Sequence, residues 1–214
     1  MPNYCDNNIT ITGPNSVIDK IEKIVSSKTD DDNGLLNYFY PMPKELNDTT
    51  SPAPKDKPQP KIDGFDNWYD WRVENWSTKW DVNEFFGVER HNLIDSLDES
   101  TITFAFSSAW APPTGAYEHF INENSNVSIR ASYFEPGCDF MGIWDNGDDS
   151  CYTVSDIAPK GSKDNFWTSD EGKELDETFN ITEGMAEYEA QQEEERIGDN
   201  KPIIDYSKGE KVNV

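Results

Sequence analysis

Three stretches of this 214-residue chain alternate apolar and polar side chains with a period of two, and that pattern narrows the possible folds more than any other feature. In "NNITIT" Ile9 and Ile11 alternate with Thr10 and Thr12. In "TITFAFSSAW" Ile102, Phe104 and Phe106 share a side, and in "VSIRASYF" Val127, Ile129, Ala131 and Tyr133 do. Successive side chains of a strand point to opposite faces, so each stretch predicts a strand with one buried and one wet face. Strands of that kind build a sheet covered on one side only.

The segments between them set the class. After Gly13-Pro14, "SVIDKIEKIV" places Val17, Ile18, Ile21, Ile24 and Val25 at helical spacing, with Ser16 and Asp19 in the form of a capping box. "LLNYFYP" then reads as a second strand ended by Pro41 and Pro43, giving a β-α-β order. Pro112-Pro113 opens a short helix carrying Tyr117, Phe120 and Ile121, and this helix joins the two later strands into a second β-α-β unit. "DFMGIW" meets "SCYTV" across Asn146-Gly147, a dipeptide suited to a type I′ turn, in a register that sets Trp144 against Asp149 and Gly142 against Cys151. The expectation is an α+β fold, the ferredoxin-like split βαβ sandwich: an antiparallel sheet with helices on one face, plus an added hairpin. The term names a topology and implies no iron–sulfur cluster. Cys5, Cys138 and Cys151 are dispersed, lack C-x-x-C spacing and read as reduced thiols. No cofactor is expected.

This domain is expected over residues 1–156, interrupted by a Pro-rich insertion at 48–62 whose Pro52, Pro54, Pro58 and Pro60 exclude a helix or an inner strand. Residues 157–214 form an acidic C-terminal extension in which the apolar patterns fade. "TEGMAEYEAQQEEERIGDN" predicts a helix there, with Asn180 and Glu183 as a cap pair, Gly198 as the stop, and a thin stripe of Ile181, Met185 and Tyr188. The extension is therefore expected to be partly helical or flexible.

Charge excludes some functions. The 42 Asp and Glu against 18 Lys and Arg give a net charge of −24. Residues 1–156 hold 27 acids and 11 bases, so the body alone carries −16. Such a field repels nucleic acid and anionic membranes. "MPNYCDNNIT" lacks a basic segment followed by an apolar run, and no window reaches the about 18 apolar residues of a membrane span. A soluble, cytoplasmic protein is expected, with a basic host or phage protein as its partner.

The segment "NWYDWRVENWSTKWD", residues 67–81, concentrates Trp68, Trp71, Trp76 and Trp80. On a helical wheel of about 100° per residue, Trp68, Tyr69, Val73, Trp76 and Trp80 fall on one side and Asp70, Glu74, Ser77 and Asp81 on the other. Trp68, Trp76 and Trp80 are thus expected against the sheet, and Trp71, which projects elsewhere, is expected to be exposed. Stacking aromatics with one cation and one acid suit a nucleotide or base. The candidate partner- or ligand-binding set is Trp71, Trp76, Lys79, Trp110 and Glu135, with Asp70 and Glu74 as acidic neighbours. Only His91 and His119 could activate a nucleophile, and neither has a triad context. "DNGDD" lacks the remaining ligands of a calcium loop, so no catalytic residue or metal ligand is predicted.

Five blocks, "MPNYCDNNITITG", "FYPMPKEL", "WYDWRVENWSTKWD", "FSSAWAPP" and "YFEPGCDFMGIW", together resemble the YubB-like family of phage- and plasmid-borne proteins with a ferredoxin-like domain, over residues 1 to about 145. The resemblance implies that fold and a viral or mobile-element source, and brings no activity with it. Ser77 stands where the family's usual N-W-G-T-K-W block has glycine, which puts a positive-φ backbone there in question. The functional expectation is a non-enzymatic protein that binds through its acidic surface, including as a nucleic-acid mimic that occupies a host nucleic-acid enzyme or defence protein. The alternative is a small-ligand or nucleotide pocket built on the tryptophan segment.

Overall fold

The computed structural model describes residues 3–27, 34–94, 98–157, 166–199, 203–205 and 210–212. They belong to two units, 1–156 and 157–214. In the first, β1 (Tyr4–Pro14) pairs antiparallel with β3 (Glu99–Ala109) on one side and β4 (Ser128–Glu135) on the other. β2 (Phe86–Asn92) lies outside β3, and β5 (Phe140–Asp145) and β6 (Asp148–Thr153) lie outside β4. The result is an open six-stranded antiparallel sheet in the order β2-β3-β1-β4-β5-β6. Among the described residues four α-helices accompany it: α1 (Asn15–Val25), α2 (Leu35–Phe39), α3 (Trp68–Trp76) and α4 (Thr114–Glu123).

The alternation predicted from the sequence sets the two faces. Ile9 is paired with Phe104 and Ala131, and Ile11 with Ile102 and Ile129. All six are buried, in one cluster with Ile18 and Ile21 of α1, Leu35, Leu36 and Phe39 of α2, Trp71 and Trp76 of α3, and Tyr117 and Phe120 of α4. The helices therefore share one face of the sheet. On the other face, the hydroxyls of Thr10 and Thr103 bond at 3.0 Å, those of Thr12 and Thr101 at 2.9 Å, and Ser107 donates to Asp6 at 2.8 Å. Back on the helix-covered face, Tyr133 reaches across Gly142 to donate to Asp149 at 2.7 Å. A Cβ on Gly142 would sit 2.3 Å from that hydroxyl, so only glycine lets β4 be tied to β6 in this way.

The second β-α-β unit is present as β3, α4 and β4, and the hairpin has the predicted register, with Trp144 opposite Asp149 and Gly142 opposite Cys151. The first unit is different. "LLNYFYP" forms the helix α2 and not a strand. Its unbroken apolar run carries no period, and burial decides: Leu35, Leu36 and Phe39 fit one helical turn, where Phe39 stacks on Phe120 at 4.4 Å. The strand that completes the sheet is β2, "FGVERHN", whose pattern shows no buried face because it runs along the edge. The capping box of Ser16 and Asp19 does not form. α1 has no side-chain cap, and Asp19 instead accepts from Arg90 at 2.7 Å. All three cysteines are free thiols.

Within the second unit, α5 (Asp170–Phe179) is capped by Ser169, which accepts from the Gly172 N–H at 3.0 Å. α6 (Ile181–Asp199) carries the predicted helix, and Asn180 donates to Glu183 at its start. It runs through Gly198, the predicted stop, to Asp199. Of its stripe, Ile181 is buried, Met185 half-buried and Tyr188 exposed. Asp176 joins the two helices by accepting from the N–H and hydroxyl of Thr182. A short hairpin, β7 (Ile203–Asp205) and β8 (Glu210–Val212), ends the unit. The rest of the predicted extension lies outside the described residues.

Candidate functional site

The tryptophan segment divides at Ser77. Asn67 caps α3 by accepting from the Asp70 N–H at 2.9 Å, and its amide donates to the Asp70 carboxylate at 2.8 Å. The helix stops after Trp76 because Ser77 takes the left-handed conformation, φ 65° and ψ 5°. That backbone costs a non-glycine residue about 1 kcal/mol. Here it is held by the Gly115 N–H, which donates to the Ser77 hydroxyl at 3.2 Å, and by Thr78, which donates to the Ala109 carbonyl at 2.7 Å.

Trp76 is buried as the wheel predicts and Trp68 packs partly buried against the core, but Trp71 and Trp80 are reversed. Trp71 is buried at 3% exposure, edge-on to Trp76 at 5.7 Å, while Trp80 is exposed at 37%. The buried face of α3 runs from Trp71 to Trp76 through two polar residues that disguise it. Arg72 lays its guanidinium 4.9 Å from the Trp76 ring and 5.2 Å from Trp68, and Asn75 donates to the Trp71 carbonyl. Trp76 is anchored by its indole N–H, which donates to the Tyr40 carbonyl at 2.8 Å.

Beyond Ser77 the chain builds a surface site. The Lys79 ammonium lies 4.5 Å from the Trp80 ring centre, 5.3 Å from Trp110 and 5.8 Å from Tyr69, so three rings surround one cation. Trp110 is turned there by a positive φ of 70°, with its N–H donated to the Asn3 carbonyl. Next to Trp80 opens a cleft of about 360 Å³ lined by Tyr4, Asp81, Glu84, Phe86 and Ser107 among others. Tyr4 and Phe86 are 53% and 60% exposed.

Asp81 fixes the cleft wall to the core. One oxygen accepts from the N–H groups of Leu36 at 2.7 Å and Val82 at 2.8 Å, and the other from Asn37 at 3.2 Å. It thereby caps α2. Gly34 is needed at this junction, since a Cβ there would lie 2.5 Å from the carboxylate. Desolvation pushes the Asp81 pKa up to about 6, against the lowering effect of the three N–H donors and the Arg72 charge.

Of the predicted set, Lys79 and Trp110 meet. Trp71 and Trp76 belong to the core. Asp70 serves the helix cap, and Glu74 borders a separate shallow hollow beside Tyr40 and His119. Glu135 is buried and accepts from the N–H groups of Gly137 and Cys138, so it holds its own turn. Sequence reasoning left out Tyr4, Tyr69, Trp80, Asp81 and Phe86 as site residues. The signal for Trp80 was the glycine-like position at Ser77, past which a helical wheel has no meaning.

No protein-family model, curated protein or solved structure matches this chain. Among the described residues no helix is long and apolar enough to cross a membrane, and no group of three or more His, Cys, Asp and Glu is placed to hold a metal ion. Cys5 is buried and desolvation drives its thiol pKa well up, which disfavours the thiolate that a nucleophile requires.

Proposed function

We propose that this chain is a non-enzymatic binding protein of phage or mobile-element type, working in the host cytoplasm, whose ferredoxin-like domain engages a basic protein. The strand order β2-β3-β1-β4, with α1 following β1 and α4 joining β3 to β4, supports the ferredoxin-like reading, because a split βαβ sandwich takes that order. One observation carries the functional reading: exposed Tyr4, Trp80 and Phe86 surround a cleft that has Asp81 and Glu84 in its walls. Aromatic anchors with an acidic surround are what a basic surface docks on, the rings supplying affinity and the charge supplying encounter rate and selectivity. A host nucleic-acid enzyme or defence protein, basic where it meets nucleic acid, is the partner class.

A pull-down from host lysate at low and high salt tests this. A basic protein is expected to be captured at low salt, released at high salt, and lost both on neutralising Glu84 and Glu89 and in the Trp80→Ala, Phe86→Ala double variant. Empty beads at low salt would sink the reading. The three rings around Lys79 beside the cleft favour a second reading, a nucleotide or other small aromatic ligand stacked on Trp80. A nucleotide-induced rise in melting temperature that disappears in Trp80→Ala would select it.

A further inference from the structure

We infer that the free edge of β2 is the docking strand for the basic partner, which adds an extended segment to the sheet there. This rests on the basic-partner reading and gives it a location. β2 ends the sheet, and among the described residues β3 is its sole neighbour. The Leu93 N–H donates to the Glu99 carbonyl at 3.3 Å. Antiparallel pairs alternate between bonded and non-bonded, so Glu89 and His91, in step with Leu93, turn their backbone groups to Thr103 and Thr101. Arg90 and Asn92 then point their N–H and C=O groups away from the sheet, as a template for an added strand.

Apolar side chains stand at both ends of this template. Phe86 opens the strand and borders the aromatic cleft, and Leu93 and Ile94 follow its end, with Ile94 fully exposed. Charge decides the occupant. Arg90 is turned inward to Asp19 at 2.7 Å and Glu22 at 2.6 Å, and the His91 imidazole lies 3.6 Å from Glu89, so the Glu84 and Glu89 carboxylates set the sign of what the edge shows. A second copy of this chain would bring the same edge and its own −24. A segment alternating basic and apolar residues complements both the charge and the spacing.

The experiment uses the full chain and a labelled peptide of alternating lysine and valine, with a glutamate–valine peptide as control. The lysine–valine peptide is expected to bind and to slow hydrogen exchange at the Arg90 and Asn92 amides. Asn92→Pro removes one outward donor and leaves the ladder to β3 intact, and is expected to weaken binding by about three- to tenfold with the melting temperature unchanged. Phe86→Ala is expected to weaken it as well. Equal binding by the wild type and both variants, or exchange unaltered by bound peptide, would overturn strand addition while leaving charge-driven capture of a basic protein standing. No binding of the lysine–valine peptide to the wild type would overturn it too, and the lysate pull-down then decides the broader reading separately.

Discussion

Residues 68–76 and residues 77–81 come from one tryptophan-rich segment, yet they obey different rules. The first part is a helix whose rings are fixed by contacts within the core: Trp71 against Trp76, and Trp76 bonded to the Tyr40 carbonyl. The second part, past the left-handed turn at Ser77, is a loop that keeps Trp80 at the surface and Lys79 among rings. Aromatic density alone therefore says little about role. What separates a core tryptophan from an exposed one here is a single backbone reversal.

The largest expected effect lies in the helical part. Trp76→Ala should destabilise the first unit by about 3–5 kcal/mol, because it empties a fully buried site and orphans the Tyr40 carbonyl. Trp71→Ala should come close to it, and urea titration of the whole chain measures both. A Trp71→Ala loss near zero would break the division drawn at Ser77.

Asp81 tests the division from the other side, as the member of the loop that is tied to the core. Its folded pKa, about 6, lies above the ordinary carboxylate value of 3.8, so between these values the folded state binds more protons than the unfolded one. Its contribution to stability is therefore greatest at the acid end and falls as pH rises through about 6, by up to about 2–3 kcal/mol. The difference in melting free energy between wild type and Asp81→Asn should slope in that direction between pH 4 and 7. A flat difference would refute the desolvated carboxylate.

Two smaller effects sharpen the comparison. Trp80→Ala should cost about 1 kcal/mol or less in stability while removing partner capture, the reverse of Trp76→Ala. Lys79→Met keeps the stem but not the charge, and should lower stability by about 0.5–1 kcal/mol, with Lys79→Arg restoring it. Differential scanning of the variants side by side reads both.

How legible was this in the sequence? Strands β1, β3 and β4 were readable because burying one face writes a period of two into the residues, and the hairpin because Asn146-Gly147 specifies a turn. β2 was not, since an edge strand with neither face buried carries no such signature. α2 reads as a strand because a run of apolar residues lacks phase, and its helical cap, Asp81, is distant in sequence. Of the candidate residues read from the sequence, Lys79 and Trp110 come together in the fold. Trp71 is hidden from the wheel by Arg72 and Asn75, polar residues that occupy the buried side of α3 through their stems and backbone bonds, and Trp80 lies beyond the left-handed turn at Ser77, where the wheel no longer applies.

The Asp81 cap has a bearing on how the chain acquires its fold. α2 spans five residues, far below the length at which a helix sustains itself in water. The carboxylate that holds its first turn arrives 45 residues later. During synthesis, Leu35, Leu36 and Phe39 thus wait as an unhelical apolar stretch until residue 81 has left the ribosome. The wall of the cleft and the closing of the core are then a single late event in folding, and variants at Asp81 should slow refolding more than they alter the finished cleft.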